Sequence, residues 1–308
     1  MKYKYCGLYH SLYNADKKTM NKFQISPNLK PETKLWRYMS LDKFIDILSR
    51  EELYFSPLSS YSNSDPYEGL LPKVALNAWA SIVKSKFNDI QSYFNDTVER
   101  IRENELLGRI SNEKAETEIT KLQTMMDTQL PKIESIYFKI LNSVTVNCWH
   151  QNEHESEGMW RLYSDANKGI AIQTSISRLI DSLQSEEIIS ISEVKYIDYF
   201  DEKLTSEDCV VNGRMVPFLK RKAFSHENEV RLSITPKIIN SDIENYTPKG
   251  IRIKTDPVKL IEKIYISPYA SQPYPSAVAA ILEKFNIDNS KLVISNLLTI
   301  DHNLLRLF

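Results

Sequence analysis

The sequence predicts a mixed α+β fold, a mainly antiparallel sheet interrupted by a long helical hairpin. Short β-rich runs recur along the chain, at residues 35–39, 53–56, 144–149, 170–173 and 229–234. Between the second and third of these, from 73 to 143, apolar residues take up helical spacing instead. No internal repeat, Gly-rich linker or low-complexity tract divides the chain. We therefore read a lead-in arm over 1–34, one core domain over 35–72 and 144–308, and a hairpin insertion over 73–143.

Residues 1–30 are polar and aromatic and show no periodicity. Leu35 to Met39 reads as a strand. Ser40 is placed to cap a helix whose apolar face is Leu41, Phe44, Ile45, Ile47 and Leu48. Leu53 to Ser56 reads as a second strand, stopped by Pro57. The loop from Ser59 to Gly69 contains Asp65-Pro66 and Gly69, which are turn chemistry. In the insertion, Trp79, Ile82, Val83, Phe87, Ile90, Phe94, Val98 and Ile101 give one helical arm. Leu122, Met126, Ile133, Ile136, Tyr137 and Ile140 give the other, with a turn near Gly108. Pro131 is placed to split the second arm. Such an arm is a structural insertion, or a means of pairing with a second copy or a partner.

Beyond 143, Val144 to Trp149 is β-rich, and Met159 to Tyr163 reads as a short helix. Ile170 to Gln173 and Ile188 to Tyr196 read as strands, and Pro217 to Phe224 as a helix. Glu229 to Ile234 alternates and reads as a strand, as does Lys263 to Ser267. Ser276 to Phe285 reads as a helix and Leu292 to Ile294 as the last strand.

Composition narrows the function. Of 308 residues, 42% are hydrophobic and 26% charged, enough apolar content for a real core. The 39 basic and 40 acidic residues nearly cancel, so a general nucleic-acid binder is disfavoured and any such contact needs a local patch. Cys6, Cys148 and Cys209 are too few and too scattered for a disulfide framework or a cysteine-built zinc site. The N-terminus has no apolar signal region, and no stretch approaches the ~20 apolar residues of a membrane helix. A cytoplasmic protein with no membrane partner is expected.

Four short motifs hold the informative polar residues. Arg37, with Tyr38 and Ser40, lies at the exit of the first strand, where a guanidinium can grip a phosphate or carboxylate in two places. The plain alternative is a surface strand residue. Asp65 and Glu68 are loop carboxylates, able to bind a ligand or metal or to serve the turn itself. The third motif runs from Cys148 to Gln173. Within it, Trp160 and Tyr163 are neighbours at helical spacing, either a stacking wall for a ring or core. Asp165 belongs to the same stretch, and Lys168-Gly169 reads as a turn. His150 and His154 are four apart, but Gln151 stands where a zincin carries glutamate, and no metal site is assigned.

The fourth motif, Phe224 to Arg231, is the densest. Strand alternation puts Glu227, Glu229 and Arg231 on one side. The two carboxylates would serve as general base and stabiliser of an oxocarbenium ion, or pair with Arg231 as a surface ladder. His226 belongs to the same cluster, and Lys220-Arg221-Lys222 upstream reads as a solvated basic patch.

Together these pieces resemble a bacterial family called domain of unknown function 2971. They are Leu35 to Ser40, Asp65-Pro66-Tyr67-Glu68, Met159 to Tyr163 with Lys168-Gly169, and Glu227 to Arg231, spanning roughly 35–270 without the insertion. Ser64 is an extra residue where the family tends to read Asn-Asp-Pro, and Cys148-Trp149-His150 stands where it usually has Cys-Phe-Ser.

The opening strand, helix and second strand also resemble the start of ADP-ribosyltransferase domains. That resemblance implies a core of ADP-ribosyltransferase-like type and NAD as the substrate. Glu229 or Glu227 would be the catalytic carboxylate. Arg37, Tyr38, Ser40, Trp160, Tyr163 and His226 would contact NAD, with Asp65, Glu68 and Lys168 as further site candidates. ADP-ribose would pass to a macromolecular target, as in bacterial toxins and phage-defence effectors. A magnesium-dependent nuclease or phosphodiesterase using Asp65, Glu68, Glu227 and Glu229, and a non-catalytic sensing or interaction protein, are the alternatives.

Overall fold

A computed structural model describes residues 22–164, 167–214, 216–235 and 249–300. Residues 1–21, with Cys6, and Asp165 lie outside these.

The first element among the described residues is β1 (Phe23–Ile25), in the segment read as an arm, and β1 pairs in parallel with a later strand at the sheet edge. Strand β2 (Lys34–Met39) leads into helix α1 (Leu41–Arg50), which buries Phe44, Ile47 and Leu48. Ser40 holds the cap position without a side-chain cap bond, and its carbonyl receives Phe44 N–H. Strand β3 (Glu52–Pro57) and a 3₁₀ turn (Leu58–Tyr61) precede the insertion.

The insertion is two long helices, α2 (Lys73–Leu106) and α3 (Asn112–Ser143). Gly108 at the turn has φ +66°, a conformation that favours glycine. Arg102 bridges the two helices to Glu116 at 2.7 Å. Helix α3 continues through Pro131, which does not split it.

Beyond the insertion come β4 (Thr145–Gln151), α4 (Glu157–Tyr163), β5 (Ile170–Ser175) and α5 (Ile176–Ser182). Helix α5 starts directly from the strand, capped by Ser175, with no turn residue to announce it. The short β6 (Leu183–Gln184), β7 (Ile189–Glu193) and β8 (Lys195–Ile197) follow.

The helix expected over 217–224 is replaced by strand β9 (Leu219–Arg221) and a 3₁₀ turn (Lys222–Glu227). Parallel pairing of β9 with β8 holds this segment extended. The last elements among the described residues are β10 (Glu229–Ile234), β11 (Ile251–Thr255), α6 (Pro257–Leu260), β12 (Lys263–Ile266), α7 (Tyr274–Lys284) and β13 (Leu292–Ile294).

This is a mixed α+β fold with a largely antiparallel sheet of eleven strands among the described residues. Its main order is β1-β7-β10-β4-β2-β5-β12-β13. Strand β4 forks: Leu35 and Trp36 of β2 pair with its end, Ser56 and Pro57 of β3 with its start. One face of the sheet is the main core, with Leu35, Trp149, Ile172, Val230 and Leu232 packed against Phe44, Leu179 and Val278 of α1, α5 and α7. The opposite face carries Trp36 and Tyr38 packed with Trp160, and beside them the charged residues of β10. No helix among the described residues is long and apolar enough to cross a membrane.

Gly169 is held by close approach. A Cβ there would stand 2.1 Å from Ser164 Oγ and 3.2 Å from Ser164 Cα. Gly169→Ala is expected to cost roughly 1–3 kcal/mol by overpacking, read as a lower urea midpoint at unchanged slope. An unchanged midpoint would show that the turn after α4 yields freely.

Candidate functional site

The centre of the polar face is Arg231, 2% exposed. Strand alternation sends Val230 and Leu232 into the main core and Glu229 and Arg231 to the other side. Arg231 Nε donates to Glu229 at 2.5 Å. Its Nη1 and Nη2 donate to the two oxygens of Glu68, at 2.8 and 3.2 Å, and Nη1 also donates to the Pro217 carbonyl at 2.8 Å. Such a fork-to-carboxylate pair is among the strongest hydrogen-bonded arrangements.

Lys220 is buried as well, contrary to the solvated patch expected. Its Nζ donates to Glu227 at 2.5 Å and to Glu229 at 2.7 Å. Pairing along β9 turns this side chain inward. Arg221 binds Asp65 at 2.6 Å and lies over the Tyr67 ring at 4.7 Å. Asp65 also accepts Tyr67 N–H, so it serves both the turn and the ion pair.

Glu227 and Glu229 converge for a reason other than strand alternation. Glu227 ends the 3₁₀ turn, and Asn228 has φ +39°. That left-handed residue folds Glu227 back toward Lys220. Asn228 is tied to Gln151 through both its backbone carbonyl and its side chain.

The connected cluster sets three carboxylates, Glu68, Glu227 and Glu229, against two cations, Lys220 and Arg231. One negative charge is in excess, and a single proton neutralises it. The proton belongs on Glu227. Burial, then the hydrogen bond and charge of Glu229, raise its carboxyl to about 7. Burial would raise Glu229 too, but Arg231, the bond from Glu227 and Lys220 outweigh it and hold Glu229 ionised.

Around the cluster stand His150, Tyr163, Cys148 and Arg37. His150 lies opposite Glu229 on β10 and Trp36 on β2. Its Nδ1 donates to the Glu227 carbonyl at 2.6 Å, and Nε2 is buried without a partner. Burial lowers its basicity and keeps the ring neutral. Cys148 is pushed up to about 12 by burial and by Glu229, so it stays a thiol and is no nucleophile. Tyr163, 43% exposed, is raised by burial and by Glu227 and Glu229 and remains a phenol.

Arg37 lies at the fork of β4, opposite Ile172, on the strand parity of the apolar face rather than that of Glu229. Its guanidinium sits 5.6 Å from the Trp149 ring centre, and Tyr61, Cys148 and Tyr163 are near enough to act on its charge. Among the described residues no carboxylate pairs with it, and Nη1 is buried without a partner. A buried polar group left so costs about 1–3 kcal/mol relative to a bonded one.

The remaining candidates are spread out. Tyr38 is buried, its hydroxyl accepting Ser156 N–H and its ring meeting Trp160 edge-on at 4.9 Å. Trp160 is fully buried, with Nε1 donating to Glu155, which leaves Tyr163 as the open ring of α4. Ser40 binds Asp42 at the helix start. His226 and Lys168 are exposed. His150 sits in β4 and His154 in the exposed loop after it, so their spacing is not helical. Among the described residues no group of three His, Cys, Asp or Glu is set to hold a metal ion. Sequence reasoning missed Lys220, although two acidic residues buried side by side, one in the turn and one in the strand, require a counter-charge close by.

Two outcomes follow from the cluster. Arg231→Met leaves Glu68 and Glu229 buried without their cation and is expected to cost roughly 3–5 kcal/mol in urea unfolding; a loss under about 1 kcal/mol contradicts the pairing. Glu227 is raised above its unfolded value of 4.5, so its contribution is full below that pH and is lost as pH rises through about 7. Glu227→Gln should therefore remove part of the fall in stability between about pH 5 and about pH 8. Equal slopes in both proteins would show no raised carboxyl.

No curated protein and no solved structure matches the chain. A family model does, over α4 to β10, a stretch that carries Trp160, Tyr163, Lys220, Glu227, Glu229 and Arg231 but not Arg37, Asp65, Glu68 or His150. Residues 159–232 match the family described as Protein of unknown function (DUF2971).

Proposed function

We propose that the chain is an enzyme whose acid–base centre is the Glu227–Glu229 pair, and that its reaction is cleavage of NAD with transfer of ADP-ribose to a macromolecular target. The observation that carries the enzymatic reading is the carboxyl pair itself. Glu229 is held ionised while Glu227 is raised to about 7, the range in which a group both takes and gives protons at neutral pH. The resemblance of the opening strand to ADP-ribosyltransferase domains supplies the reaction. Breaking the ribose C1′–nicotinamide bond sends the bonding pair to nicotinamide and leaves positive charge on the ribose.

Negative charge at Glu229 favours that charge electrostatically. Glu227 in its ionised form, a substantial fraction near pH 7, takes the proton of the attacking hydroxyl or water as that oxygen bonds C1′. The open ring of Tyr163 suits nicotinamide, whereas Arg37, on the strand parity opposite to Glu229, counts against the diphosphate contact that the resemblance implies. The magnesium-dependent alternative has less support, because Lys220 and Arg231 already occupy the space between the carboxylates.

One observation favours a second reading. Both oxygens of Glu229 are engaged by cations, which suits a purely structural cluster in a non-catalytic interaction protein. Isotopically labelled NAD separates the two. With purified chain and cell lysate, nicotinamide release and label transfer are expected, falling about 10²–10⁴-fold in Glu227→Gln. Folded wild-type chain that releases no nicotinamide contradicts the NAD reading.

A further inference from the structure

His150 belongs to none of the roles assigned above, yet its surroundings are unusually specific. It is 5% exposed and lies in the middle of the sheet, between Trp36 and Glu229. The edge of the Tyr38 ring system faces it at 6.1 Å between centres. A carbonyl oxygen accepts and never donates, so the bond to the Glu227 carbonyl puts the proton on Nδ1. Nε2 then carries a bare lone pair. That atom is buried and meets no donor in the protein.

A histidine serving only as filler between aromatic and charged neighbours would have both nitrogens bonded or one in water. The same hydrogen bond fixes the ring to the main chain of Glu227, the residue assigned the proton transfer. The ring is thus oriented as well as neutral.

We propose that His150 Nε2 is the hydrogen-bond acceptor of the candidate site, receiving an O–H or N–H of the bound ligand. The ligand class is one bearing a hydroxyl or carboxamide donor. The proposal rests on the reading of this face as an NAD site, since NAD carries ribose hydroxyls and a carboxamide. Burial keeps Nε2 unprotonated in spite of Glu229, and exposed His226 adds to that effect. His150 therefore recognises rather than reacts, and its loss weakens binding more than turnover.

The test uses the full chain with ¹⁵N-labelled histidine, observed by NMR with and without NAD, beside a nicotinamide-release assay on the same sample. The free protein is expected to show Nδ1 protonated and Nε2 bare, and NAD is expected to shift the Nε2 resonance. A proton on Nε2 in the free protein overturns the proposal. Release of nicotinamide without any Nε2 shift overturns it too and leaves the NAD reading standing. An Nε2 shift without release supports the acceptor role and overturns the catalytic reading. Neither shift nor release overturns both.

His150→Phe is expected to raise the NAD concentration for half-saturation about tenfold. His150→Gln, whose side-chain oxygen also accepts, should recover part of the loss. Equal behaviour of the two variants argues against the acceptor role, and the wild-type spectra decide the matter if either variant fails to fold.

Discussion

A guanidinium buried in the centre of a sheet dictates much of what surrounds it. Arg231 cannot be neutralised at accessible pH, so its burial requires carboxylates and carbonyls on every side. Glu68 comes from the loop before the insertion, Glu229 from the same strand, and the Pro217 carbonyl from the segment entering β9. Each of these segments is pinned at one point by Arg231. The insertion is drawn into the same arrangement at both ends. It leaves the core a few residues after Glu68 and returns into β4, the strand that holds Cys148 and His150.

The carboxylates of the cluster around Arg231 exceed its cations by one charge. Lys220 offsets one charge, and a proton on Glu227 offsets the other. Low polarity makes that proton hard to lose. Trp36, Tyr38 and Trp160 form an apolar wall beside His150, and the main core lies behind Val230 and Trp149. Water that would otherwise screen Glu227 and Glu229 is largely excluded, so each keeps a distinct protonation state. The apolar face of the sheet holds the main core, and the other face holds the buried charges.

Patterns with a strong period were legible in the sequence. The strand of Leu35 to Met39, the helix with Phe44 and Ile47, the two arms meeting at Gly108, and the strand from Glu229 all announce themselves by spacing or by glycine. An element without such a signal was not, since α5 follows β5 with no intervening turn, and β11 went unread although Ile251 to Lys254 alternates strictly. The segment 217–224 has helical-looking apolar spacing, but pairing of β9 with β8, which only the folded chain reveals, makes it extended. The density of charge around Glu227 to Arg231 marked the cluster. The inward turn of Lys220, the fold-back at Asn228 and the strand parity of Arg37 depend on long-range pairing and could not be read from local sequence.

The central claim is that the cluster carries one proton at Glu227 in the neutral range. The most direct measurement is a carboxyl ¹³C NMR titration of Glu227 in the full folded chain. The account predicts a midpoint near 7, moved further up when Lys220 is replaced by methionine and its favourable charge is lost. A midpoint at or below the ordinary glutamate value of about 4.3, unaffected by that replacement, would contradict it.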